Sequence, residues 1–307
     1  MTPAQLRGVL PVLQTPFGDH GELDLPTVIA EIDWVLDQGV AGVTTGMVSE
    51  LLRLTETERA DLSEVVVATA RRRGALSVIS CGSESTRTSV QMARHAAAAG
   101  ADAVMVNPPL TAALDSEELL EHFSAILDAV DIPLVVQDAS GYVGRPLSLE
   151  LQLELLERFP DQVYFKPEAS PIGQRLSKLR DLTEGRARIL EGTGGAALLD
   201  SYRRGIVGTM PGAEVCWAVQ RLWDLLARDE WDAAYRLSGI LNVMVGMQPS
   251  LDAFVAVEKH LLHRQGVFGS TAVRTPAGFV LDAETASEID RLFDQLVAAV
   301  TEPAGLA

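Results

Sequence analysis

From Gly8 onward the sequence alternates eight times between a short, β-favouring apolar run and an amphipathic segment of helical period, a pattern that few folds accept. Strands are expected over residues 8–17, 42–45, 76–81, 102–106, 133–137, 162–166, 187–191 and 205–209. Helices are expected between them, the second opened by the capping-box sequence Thr55-Glu56-Thr57-Glu58 and the eighth counted from Ala213. Consecutive strands joined by helical crossovers run parallel, and an all-parallel sheet needs both faces covered. The pattern therefore predicts an α/β protein, a closed (β/α)8 TIM barrel over residues 1–229. Amphipathic segments at 230–245, 250–265 and 283–300 then form a C-terminal helical extension, residues 230–307.

Charge and cysteine usage narrow the function classes. The formal net charge is -17 and no Lys/Arg cluster is long enough to follow a phosphate backbone, which argues against nucleic acid as a partner. Without an uninterrupted apolar stretch of about 20 residues, no membrane span is expected. The first residues lack a signal-type apolar region, so a cytoplasmic location is expected. Cys81 and Cys216 are too few for a disulfide framework and read as buried small residues. Among the five histidines only His260-x-x-His263 has ligand-like spacing; it reads as a solvated helix face, with a metal site as the alternative. Neither a metal nor another cofactor is expected.

In such a barrel ligands bind at the C-terminal edge of the strands, so the residues that end each strand carry the chemistry. Lys166 ends the sixth strand. Desolvation there disfavours an ammonium and leaves free amine to attack a ketone as a Schiff-base nucleophile; the plain alternative is a strand-edge lysine satisfied by a carboxylate such as Glu168. Gln137 and Asp138 end the fifth strand, the first suited to orienting a substrate hydroxyl or water, the second a base or a turn cap. After the second strand, Gly46 permits close backbone approach, and Met47, Val48 and the Ser49 hydroxyl are placed to hold a carboxylate, while Glu50 reads as a possible helix cap. The small-residue loops after the seventh and eighth strands offer Gly192, Thr193 and Met210 for hydroxyl or carboxylate contacts. Neither loop matches a nucleotide-binding pattern.

The strand-six segment Tyr164-Phe165-Lys166-Pro167-Glu168-Ala169-Ser170, the Gly46 to Glu50 turn, the opening Gly8 to Phe17 run and the helical C-terminus together resemble the dihydrodipicolinate synthase / N-acetylneuraminate lyase superfamily of class I Schiff-base aldolases. The resemblance covers nearly the whole chain. It implies a (β/α)8 barrel with a C-terminal helical extension, a homo-oligomer (tetramer or dimer), and a strand-six lysine that forms a Schiff base with pyruvate or another 2-oxo acid. It also turns Lys166 from a plain strand-edge lysine into the expected nucleophile.

Departures from the family pattern select among its activities. Synthases of dihydrodipicolinate carry Gly-Thr-Thr-Gly-Glu where this chain has Gly46-Met47-Val48-Ser49-Glu50, so Met47 replaces a threonine of the proton relay. Their strand-five tyrosine falls at Gln137-Asp138, their second relay tyrosine at Leu110, and the arginine that receives the semialdehyde at Tyr142. The strand-five Gln-Asp and Ser49 instead resemble the 2-keto-3-deoxy sugar-acid dehydratases typified by 2-keto-3-deoxy-L-arabonate dehydratase. The resemblance implies a lyase that dehydrates such an acid. The alternatives are a pyruvate-dependent aldolase, a dihydrodipicolinate synthase-like condensing enzyme, or a barrel that binds a metabolite without turning it over. The oligomer expectation is checked by sedimentation, which should give a dimer or tetramer; a clean monomer contradicts it.

Overall fold

Eight parallel strands, each followed by a helix, make up the first part of the chain in the computed structural model, which describes residues 5–141 and 143–301. The strands are β1 (Gly8–Val9), β2 (Gly42–Thr44), β3 (Leu76–Ser80), β4 (Ala103–Val106), β5 (Leu134–Asp138), β6 (Val163–Pro167), β7 (Leu190–Glu191) and β8 (Gly208–Thr209). Their helices are α1 (Leu25–Leu36), α2 (Glu56–Arg72), α3 (Thr86–Ala99), α4 (Ser116–Leu127), α5 (Leu149–Arg158), α6 (Ile172–Leu182), α7 (Leu198–Arg203) and α8 (Cys216–Ala227). Strands β2 to β6 pair in order, and β1, β8 and β7 pair in a second run. Single parallel bridges, Val12 to Thr44 and Phe165 to Ile189, join the two runs and close the barrel.

Alternation along the strands sorts side chains into two cores. Val78, Ala103, Met105, Val135, Tyr164 and Leu190 point into the barrel, where they pack with Leu6, Leu10, Val12 and Met210. Val104, Val106, Leu134, Val136, Val163 and Phe165 point outward against the helices. The same alternation fixes the ends of β5 and β6. Gln137 follows Val135 and Lys166 follows Tyr164 on the inward face, and the two strand ends pair directly, Gln137 with Lys166. Asp138 follows Val136 on the outward face.

Most helix boundaries follow local signals. Thr55 and Glu58 form the expected reciprocal cap of α2, and Ser250 caps α10 (Leu251–Arg264). Three strands and one helix are shorter than the sequence suggests. The first strand is expected over 8–17 but is regular only at Gly8–Val9. Pro11 has no N–H to give, and beyond Leu13 the backbone turns to side-chain partners: the Gln14 N–H donates to Glu31 Oε1 at 2.9 Å. In the seventh unit regular pairing begins only at Leu190, and α7 starts at Leu198. The eighth strand is regular from Gly208.

Helices α9 (Trp231–Gly246), α10 and α11 (Ala283–Thr301) form the C-terminal extension. α9 packs on α8 and α11, while α10 lies across the barrel mouth on the turns Met47–Ser49 and Ala213–Val215. His260 of α10 meets Asp290 of α11 at 2.9 Å, so it ties two helices together and does not face solvent freely as its spacing suggested. The strongest tie is electrostatic. Lys259 of α10 is completely buried and donates to Glu50 Oε1 and, at 2.7 Å, to the Ala272 carbonyl, with the Phe17 ring 4.4 Å from its ammonium. Glu50 Oε2 accepts from the Arg274 N–H at 3.0 Å. Glu50 itself has φ 54 and makes no side-chain cap, which corrects its reading as a helix cap: its carboxylate is spent on the extension. Burial lowers the pKa of Lys259, and Glu50 opposes that shift. Removing one partner of a buried pair leaves the other charge uncompensated, so Lys259→Met should cost about 3–5 kcal/mol, read from urea unfolding midpoints.

Candidate active site

Lys166, Gln137 and Glu168 form one hydrogen-bonded group on the inner wall of the barrel, at the C-terminal ends of β5 and β6. Lys166 Nζ donates to Glu168 Oε1, and Gln137 Nε2 donates to the same oxygen at 3.0 Å. All three side chains are buried. Glu168 Oε2 and Gln137 Oε1 have no hydrogen-bond partner among the described residues. Burial raises the pKa of Glu168, against the opposing pull of Lys166 and Gln137. A carboxyl raised in this way and touching an amine can carry protons to and from chemistry at that amine.

A small opening at Lys166 exists because residue 192 has no side chain. A Cβ on Gly192 would stand 2.9 Å from both Glu168 Oε1 and Lys166 Cε. The cavity so left has a volume of 30 Å3, and Lys166, Gln137, Gly46, Met47, Val48 and Met210 are among its walls. Among the described residues the Met47 and Val48 N–H groups form no hydrogen bond, so both are available to a carboxylate.

Of the sequence-expected site residues, Lys166, Gln137, Gly46, Met47, Val48, Gly192 and Met210 thus meet at one cavity, and three do not. Ser49 turns away: its Oγ accepts from the Gly46 N–H at 3.0 Å and donates to the Leu13 carbonyl, so it shapes the turn from behind. Asp138, on the outward face, accepts from the N–H groups of Ser140 at 3.0 Å and Leu147 at 3.1 Å, so it caps the loop after β5. Thr193 is engaged by its own loop, its hydroxyl donating to Glu191 Oε1 and accepting from the Ala197 N–H at 2.8 Å. Leu110, the relay-tyrosine position of the resemblance, lines a separate cavity of 510 Å3 with Asp115 and Arg145, to which neither Lys166 nor Gln137 contributes. Tyr142, the arginine position, lies outside the described residues.

Sequence reasoning missed two groups. Glu168 was legible as a neighbour of Lys166 but not as part of the site, although strand alternation puts residues 166 and 168 on one side. Phe254 and Glu258, one helical turn apart on α10, also line the cavity. No local signal links them to strand ends far earlier in the chain. Behind Glu258 lie Gln14, Glu31 and Glu214, all buried. Gln14 Nε2 donates to Glu258 Oε2. Burial pushes Glu31 and Glu258 well above the usual carboxylate range and Glu214 up to about 7.

Comparison with known proteins gives consistent matches. The family model described as the Dihydrodipicolinate synthetase family matches residues 5–295. The 4-hydroxy-tetrahydrodipicolinate synthase of Bartonella quintana (strain Toulouse) is 30% identical over 292 residues, 92% of this chain and 95% of the relative. That of Rhizobium meliloti (strain 1021) is 28% identical over 92% of this chain and 96% of the relative. Among solved structures, YagE, a prophage protein of the dihydrodipicolinic acid synthase family from E. coli K12 in complex with pyruvate, superposes with a TM-score of 0.88. It shares 23% identity over 96% of this chain and 99% of that one.

The acid cluster makes stability depend on pH in a defined direction. Glu214 keeps its proton in the folded protein up to about pH 7, whereas an unfolded chain releases it near 4.5, so its burial costs stability as pH rises between those values. Glu214→Gln carries no such cost. Its stability relative to the wild type should be constant below pH 4.5 and climb through about 7, checked by urea unfolding across that range.

Proposed function

The chain belongs to the Dihydrodipicolinate synthetase family, and from that premise we propose that it dehydrates a 2-keto-3-deoxy sugar acid through a Schiff base on Lys166. The family is one of lyases of the class I aldolase type, and this chain is a lyase of that class. The observation that carries the finer reading is the contact of Glu168 with both Lys166 and Gln137, at strand ends where no tyrosine hydroxyl stands among the described residues.

In this reading the substrate carboxylate lies on the Met47 and Val48 N–H groups and its carbonyl carbon faces Lys166 Nζ. The amine attacks that carbon, Glu168 passes a proton to the oxygen, and water leaves to give the iminium. The iminium acidifies the neighbouring carbon. Glu168 takes a proton from it, giving an enamine, and returns the proton to the hydroxyl on the next carbon as that group leaves as water. Hydrolysis of the resulting conjugated iminium frees Lys166. One carboxyl that changes protonation state suffices for the whole sequence, and burial sets Glu168 nearer to neutral pH than an exposed glutamate. Gln137 holds the carboxyl and presents Oε1 to a substrate hydroxyl, a positioning role without titration.

Condensation with an aldehyde is the competing reading, supported by the activity named for the relatives. A panel of 2-keto-3-deoxy acids assayed for water loss against pyruvate release separates the two. The lysine step is tested by borohydride reduction with pyruvate, followed by mass spectrometry. The wild type should gain one adduct on Lys166, and Lys166→Ala none. Gln137→Ala should keep the adduct and lose about one to two decades in turnover, the value of one hydrogen bond to the transition state. Glu168→Gln should lose about two to four decades, the usual contribution of a general acid–base. A wild type without adduct would falsify the enzyme reading.

A further inference from the structure

The cavity at Lys166 has a second polar end, on the extension. Once the lysine, Gln137 and the Met47 and Val48 N–H groups are assigned to the reacting half of a substrate, the remaining walls lie toward Gly194, Gly212, Phe254 and Glu258. Glu258 is the only ionisable side chain among those four. One of its oxygens is taken by Gln14 Nε2; among the described residues no donor reaches the other, Oε1. That oxygen lies over Gly212, where a Cβ would stand 2.7 Å from it and would collide with Glu214 Oε2. Glu214 Oε2, Glu31 Oε2 and Gln14 Oε1 are buried and have no hydrogen-bond partner among the described residues. The nearby cation, Lys259, is committed to Glu50 and the Ala272 carbonyl.

We propose that Glu258 is a specificity-determining residue of this site: its carboxyl receives the far-end hydroxyl of a neutral-tailed 2-oxo acid and rejects 2-oxo acids that end in a second carboxylate. The inference rests on the reading of Lys166 as the nucleophile toward a 2-oxo acid. Three buried carboxyls packed together cannot all ionise cheaply, and burial raises the pKa of each against the weaker pull of Lys166 on Glu258 and of Lys259 on Glu31, so the end wall offers an acid O–H and a carbonyl oxygen. A hydroxyl can both accept from the one and donate to the other. An anionic tail would lose its hydration and meet acceptors and like charge instead. A tail that carries hydrogen in place of the hydroxyl leaves Oε1 unsatisfied, and sites built to bond a hydroxyl discriminate strongly against analogues that lack it. The residue arrives from α10, so tail selection is carried by the extension and bond chemistry by the barrel.

The test is a competition for Lys166. Equal amounts of 2-keto-3-deoxypentonate, 4-hydroxy-2-oxopentanoate, which lacks the far-end hydroxyl, and 4-hydroxy-2-oxoglutarate, which ends in a carboxylate, are offered together and trapped with borohydride. The adducts are counted by mass after a brief trap, and each acid's adduct is summed with that of its dehydrated form, so that turnover does not distort the ratio. The wild type should favour the pentonate over each competitor by about tenfold to a hundredfold. Glu258→Ala should bring the pentonate and its deoxy analogue to near parity and reduce the handicap of the diacid. Glu258→Gln, which keeps a donor and an acceptor, should retain the hydroxyl preference. Equal trapping of the three acids by the wild type, or an unchanged preference in Glu258→Ala, overturns the proposal. Trapping pyruvate alone separates the two levels: an adduct with pyruvate but no tail preference removes only the role of Glu258, whereas no adduct removes the lysine reading beneath it.

Discussion

Parallel strands cannot be joined by a tight turn, and the whole architecture follows from that constraint. Each return must cross the outside of the sheet as a helix, so every strand in the barrel starts at one rim and ends at the other. Eight strand ends then converge on a single opening, and residues far apart in sequence become neighbours. Gln137 and Lys166 pair directly at adjacent strand ends, and Gly192 and Met210 complete the wall beside them. The strand pairing also supplies rigidity. Because Tyr164 and Val135 are packed in the inner core two residues before Lys166 and Gln137, both side chains stand on tightly packed backbone.

Electrostatics at the mouth divides into two regimes. Lys166 and Lys259 each contact a buried glutamate. Lys166 also faces a cavity, and the unpartnered oxygens of Glu168 and Gln137 leave capacity for a substrate. Lys259 is fully buried: its ammonium is shared between Glu50, a carbonyl and an aromatic face, and it ties the extension to the barrel. Two buried lysine–glutamate contacts of the same composition thus differ in role because only one opens on empty space.

Much of this was legible in the sequence because it depends on local period. Alternating apolar runs gave the strands, capping residues such as Thr55 and Ser250 gave helix starts, and position at a strand end gave Lys166 and Gln137. Ser49, Asp138 and Thr193 were read from their place next to strand ends, and side-chain direction defeated that reading. Asp138 sits one residue beyond Gln137, so the pleat sends it to the opposite face. Ser49 and Thr193 are short hydroxyl side chains that bond their own loops. Glu258 was hidden for another reason: nothing in the helical pattern of α10 announces that its cavity-facing residue will complete a site built by strands. Only tertiary packing of the extension on the Met47–Ser49 turn brings them together.

The adjacency of Glu258 and Lys259 places α10 under a register constraint. Successive residues of an α-helix are rotated by roughly 100°, and these two use that rotation to address the cavity and the Glu50 carboxylate from one turn. An insertion or deletion of one residue between Ser250 and Glu258 would turn both away from their targets at once. The loop that follows α10 is held at separate points, where Phe268, Ala272, Arg274, Pro276 and Gly278 meet His263, Lys259, Glu50, Arg53 and Asp252. Length variation should therefore be purged within α10 and better tolerated at the exposed stretch just before α11, between the contacts of Gly278 and those of Asp290, so the reading frame of one mouth-spanning helix fixes both the cavity wall and the anchor of the extension.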